Sequence, residues 1–153
     1  MQILVDADAC PVKQIIVRLA KQRNIPVTML IDTSHELNDG YSKIITVDKQ
    51  ADSVDYALMG LLTREDIVVT QDFGLAAMVI GKGAKAVNQN GLVFTNENMD
   101  TLLMERHIGQ KVRRGGGRTK GPPKRTKEDD ARFEDAFEKL LSEVFGDNSH
   151  KTL

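Results

Sequence analysis

"DIVVTQDFGLAAMVIGKG", residues 66–83, sets a three-residue apolar run before an acid, Asp72, and follows it with a short helical pattern closed by Gly81 or Gly83. Ile67, Val68 and Val69 do not alternate with polar residues. A strand buried on both faces reads this way, and such strands belong to parallel sheets covered by helices.

Outward from this stretch the same unit recurs. "QILVD" is an apolar strand ending at Asp6. Pro11 then suits a first helical turn, and Val12, Ile15, Ile16, Leu19 and Ala20 follow at helical spacing. "NIPVTMLID" is a strand ending at Asp32, and "KIITVD" is another ending at Asp48. The polar residues 33–42 between them carry an Asp-Gly turn signal. "QADSVDYALMGLL" reads as a helix with Val54, Leu58, Leu61 and Leu62 on one side. "AKAVNQNG" is a fifth strand with Asn88 and Gln89 in a turn, and Thr95 or Asn96 caps a helix "ENMDTLLMERHI". Strands alternating with helices predict an α/β fold with a parallel sheet and helices on both faces.

The pattern breaks at "RRGGGRTKGPPKRTK". Its Gly, Pro and basic content predicts a linker over 113–126, after an α/β domain over 1–112. An amphipathic C-terminal helix is expected over 127–146. Thr126 and Asp129 form a near capping box there, and Phe133, Phe137, Leu140, Leu141, Val144 and Phe145 make one apolar stripe. That stripe is expected to pack on its own domain or on a second subunit, so a homo-oligomer is one expected partner state.

With 153 residues and 41% hydrophobic content, the chain can build one real core. No apolar run approaches the ~18 residues of a membrane span. Asp6 and Asp8 stand where a signal peptide would be basic and then apolar, and Cys10 is the single cysteine. A cytoplasmic location is therefore expected. Aromatics are 5% with no Trp, which argues against extensive base stacking. The net charge of −1 hides a split: eight cations and no acid lie between Lys111 and Lys127, which leaves −9 on the rest. Such asymmetry points to a polyanionic partner, and a solvated linker is its plainer alternative.

Four strands thus end in aspartate. In an open parallel sheet their carboxyl ends share one edge, where ligands bind. Asp8 follows Asp6 in the loop, and Asp52 and Asp55 lie three apart on one face of the helix after the third strand, a face that begins near the same edge. Crowded carboxylates are unfavourable unless neutralised, and hard divalent cations with oxygen ligands do this. Asp32 and Asp48 read as caps, whereas Asp6, Asp8, Asp52, Asp55 and Asp72 form the candidate site. Cys10 reads as a core residue. His35, His107 and His150 have no ligand spacing, and "GGGRTKG" is not a P-loop.

"VDADACP", "ADSVDYAL", "DIVVTQDFGLAA", "AVNQNG" and "GGRTKGPPKRT" together resemble the YaiI/YqxD family of small bacterial proteins, over nearly the whole chain. That family is in turn similar to PIN-like domains, metal-dependent ribonucleases with a Rossmann-like sheet. The resemblance implies a Mg²⁺- or Mn²⁺-dependent ribonuclease with RNA as partner. Asp6, Asp52 and Asp72 would hold metal, and Asp8 and Asp55 would assist directly or through water. "KQIIVRLAKQ" lacks the glutamate that many such nucleases carry, a place that Asp8 would take. The basic segment is expected to hold RNA through Arg113, Arg114, Arg118, Lys120, Lys124 and Arg125. Two other classes stay open. One is a non-enzymatic RNA-binding protein. The other resembles haloacid-dehalogenase phosphatases, whose D-x-D would make Asp6 the nucleophile.

Overall fold

A computed structural model describes residues 1–32, 36–50, 53–116 and 124–146. Five strands make one sheet: β1 (Ile3–Asp6), β2 (Val27–Asp32), β3 (Lys43–Val47), β4 (Ile67–Val69) and β5 (Lys85–Val87). All pairings are parallel and the order is β3-β2-β1-β4-β5. This is the predicted α/β class, with a Rossmann-like strand order.

The apolar runs explain the layering. Ile3 and Val5 of β1 face one side and Leu4 faces the other, all fully buried. On the first side lie α1 (Lys13–Arg23) and α5 (Lys127–Phe145), through Ile16, Leu19, Phe133, Phe137 and Leu141. On the second lie α2 (Ser53–Leu61), α3 (Phe73–Gly81) and α4 (Asn96–Arg114), through Leu58, Leu75, Val79 and Met99. Strands with both faces covered have no polar side to alternate with.

The C-terminal stripe therefore packs on its own domain. Phe133 and Phe137 stack with centroids 5.1 Å apart and are fully buried. The start of α5 has the expected capping box between Thr126 and Asp129. At its far end, buried Arg23 of α1 donates to the Gly146 carbonyl and to Ser142 Oγ, each at 3.0 Å. Gly91 sits in the turn after β5 with φ +85°, where a Cβ would lie 2.8 Å from the Arg132 carbonyl oxygen. Only glycine lets that turn approach α5 so closely.

Several boundaries differ from the sequence reading. α1 begins at Lys13, past Pro11. α4 continues through Gly109 to Arg114, beyond the expected Ile108, so its last turns take up the start of the predicted linker. Leu61 is exposed, while Leu58 is the buried residue of α2 and Leu62, just past its end, is buried too. Asp52, Arg118 and Lys120 lie outside the described residues, as does His35. No described helix is long and apolar enough to cross a membrane.

Candidate functional site

After β3 the chain crosses to the other side of β1 and enters β4. The sheet's direction of growth reverses between β1 and β4, and the crevice outside their carboxyl ends is where open α/β sheets bind ligands. Asp6 ends β1. Asp72 follows β4 as the N-cap of α3, its Oδ1 accepting from Leu75 N at 3.1 Å. Between them stands buried Thr70, whose hydroxyl donates to Asp6 Oδ2 at 2.9 Å and accepts from Asp72 N at 3.0 Å. One hydroxyl thus ties the two acids together across the switch point.

Asp8 lies in the loop after β1, and its Oδ2 accepts from Asp32 N at 3.1 Å, at the end of β2. Gln71 Nε2 donates to the Ala9 carbonyl at 2.8 Å and joins the two loops. Each of Asp6, Asp8 and Asp72 is held through one carboxylate oxygen, so their orientations are set by the fold. Two cavities of about 350 Å³ open here and share Asp8 and Asp72. Asp6 and Phe73 line one; Asp32, Asp48 and Asp55 line the other.

The Asp6 carboxyl is pushed up to about 6. Burial is the largest cause, the Thr70 hydrogen bond opposes it, and the charges of Asp55, Asp72 and Asp8 add to it. That electrostatic link places four of the five candidate acids in one neighbourhood. Replacing Thr70 with Val removes the opposing hydrogen bond and keeps the shape. The Asp6 carboxyl is then expected to titrate above 6, with a loss of roughly 1–3 kcal/mol of stability. Carbon-detected NMR titration of Asp6 checks this, and an unchanged titration would show that the hydroxyl does not govern the carboxyl.

The structure adds to the sequence reading at two places. Asp32 and Asp48, read as caps, line the same cavity as Asp8, Asp55 and Asp72. Their shared signal was present in the sequence: both end strands, as Asp6 does. Arg125, expected on a phosphate backbone, is engaged within the fold. It donates to Asp130 Oδ1 at 2.7 Å, Asn90 Oδ1 at 3.0 Å and the Gln89 carbonyl at 2.8 Å. Arg114 and Lys124 are exposed. Cys10 is buried in the core, as expected, and burial pushes its thiol up. Asn88 and Gln89 stand at the expected turn, where Asn88 Oδ1 accepts from Asn90 N and Leu92 N.

The donor set is oxygen-rich and anionic, which suits a hard divalent ion such as Mg²⁺ or Mn²⁺. Among the described residues no three acidic, histidine or cysteine side chains already stand in a metal-holding cluster. Asp52, one of the three expected ligands, lies outside those residues. A further cavity of about 640 Å³ runs along α1, lined by Lys13, Arg18, Lys21 and residues 37–39. Lys13 Nζ reaches the Ala7 carbonyl at 3.4 Å, so this basic groove begins beside the acidic edge.

A sequence profile described as an uncharacterized YaiI/YqxD family matches residues 4–143. A UPF0178 protein of Ruminiclostridium cellulolyticum is 65% identical, over 90% of this chain and 90% of its own length. One from Clostridium acetobutylicum is 54% identical, over 92% and 97%. One from Exiguobacterium sibiricum is 49% identical, over 94% and 98%. No solved structure matches the chain.

Proposed function

The chain belongs to the YaiI/YqxD family, and we propose that it is a divalent-metal-dependent ribonuclease of PIN-like type working at the β1/β4 switch point. The observation that carries this reading is the Asp6 neighbourhood. A half-buried carboxylate stands in a crevice with Asp8 and Asp72, and the charges of Asp55, Asp72 and Asp8 all act to raise it. Asp6 and Asp72, with Asp52, would hold the ion, and Asp8 and Asp55 would support it. Such an ion supplies an activated water and stabilises a leaving phosphate oxygen. The chain's own residues do the rest. Thr70 fixes the Asp6 and Asp72 orientations, and Gln71 braces the loop that carries Asp8.

An acidic crevice repels a phosphate backbone, so binding needs cations nearby. Lys13 and Lys21 in the α1 groove supply them, along with Arg113, Arg114, Arg118, Lys120 and Lys124 of the basic segment. Arg125 would belong to the same set, although three of its five N–H donors are bonded within the fold. Affinity for a short RNA is expected to fall with salt, with a slope near −0.7 per phosphate contact on a single strand. The deciding experiment adds Mn²⁺ or Mg²⁺ to the purified protein. RNA cleavage, a raised melting temperature and release of a fraction of a proton near pH 6 are expected together. No cleavage and no thermal shift with either ion would end the ribonuclease reading. RNA binding without them would leave the non-enzymatic binder.

A further inference from the structure

Among the described residues no element covers the outer half of α4. Leu103, Met104, Ile108 and Val112 are 44, 58, 53 and 41% exposed. They are four of the nine large apolar side chains exposed among the described residues, so this is a patch and not scatter. Met104, Ile108 and Val112 recur every four residues and form one stripe. Met99 and Leu102 face the other way, into the core beneath α3.

Charge along the same helix tells what fits the stripe. Exposed acids, Glu97 and Asp100, lie before it, and exposed Lys111 and Arg114 lie at its end. We propose that α4 is the contact surface for a second copy of this chain, the two helices packing antiparallel about a twofold axis between Met104 and Ile108. Met104 then meets Ile108 of the partner subunit. Asp100 comes within one residue, about 1.5 Å along the axis, of Lys111 of the partner subunit, and the twofold repeats that pairing at the other end. A parallel pair would set Asp100 beside its own copy and Lys111 beside its own copy. The helix spans about 28 Å at 1.5 Å per residue. A contact of that length, with a narrow apolar stripe, gives a small interface and a dimer expected in the micromolar range.

Sedimentation velocity over a concentration series tests this with the full chain. Wild type is expected to pass from monomer to dimer. Ile108→Asp is expected to weaken the dimer about tenfold or more, because it sets a charge at the centre of the contact. Its far-UV spectrum should be unchanged, since the side chain is half exposed. Asp100→Lys and Lys111→Glu should each weaken self-association, and an equimolar mixture of the two should restore it as a heterodimer. A chain that stays monomeric into the millimolar range overturns the proposal. So does a dimer indifferent to Ile108→Asp, or a mixture that associates no better than its parts.

Discussion

Asp6→Asn is expected to abolish metal-dependent RNA cleavage and, at neutral pH, to make the metal-free protein harder to unfold. On the proposed reading the loss in rate follows because Asp6 would be a ligand of an ion that would supply several kcal/mol of transition-state stabilisation, which is about a hundredfold or more. The gain in stability follows from the carboxyl's position. In the unfolded chain Asp6 loses its proton near 3.8, and in the folded chain it holds it to about 6. Between those values the folded state binds more protons, so stability falls as pH rises, and the full penalty stands above pH 6. The shift corresponds to an upper bound of roughly 3 kcal/mol, and partial solvation reduces the expected gain to about 1–2 kcal/mol. Asn keeps an oxygen to accept the Thr70 hydrogen bond and carries no charge. Thermal melts of both proteins from pH 4 to 8 without metal decide it. The variant's advantage should be small at pH 4 and grow to a plateau above 6. Parallel curves would mean that Asp6 is not held at a cost.

Phe137→Ala is expected to cost roughly 3–5 kcal/mol, because it empties a fully buried site on the sheet and unstacks Phe133. Whole domains are stable by only about 5–15 kcal/mol, so the melting temperature should fall by about 10 °C or more. The sequence set α5 apart from the α/β body behind a basic linker, and a dispensable tail would leave the melt unchanged. Chemical denaturation followed by far-UV circular dichroism distinguishes the two. One cooperative transition at lower denaturant is the expected result.

The strands were legible because unbroken apolar runs such as Ile67-Val68-Val69 have few other uses in a chain of this size. Their order was not, since β1 pairs with β4 across sixty residues of intervening chain and no local pattern encodes that partner. The acids of the site were visible as strand ends. Which strand ends meet depends on the sheet order, and so Asp32 and Asp48 were set aside although they line the cavity. Asp72 shows that a cap and a cavity wall are not alternatives: one oxygen caps α3 while the residue borders both cavities. Arg125 carried the same sequence signal as its basic neighbours. Only the fold shows that the turn at Gln89 and Asn90 takes its donors.

The face that α5 covers takes Ile67, Val69 and Val87 from the later strands and a larger share from the first 31 residues, with Ile3, Val5, Met29 and Ile31 among them. During synthesis these residues emerge from the ribosome long before Phe133 and Phe137 do. At about 5–20 residues per second, roughly a hundred further residues take some 5–20 s to translate. For that interval the nascent chain shows an uncovered apolar sheet face, the kind of surface that is prone to aggregate and that holding chaperones bind. Slow codons placed before α5 would lengthen the exposure and lower the soluble yield, with no change in the protein sequence.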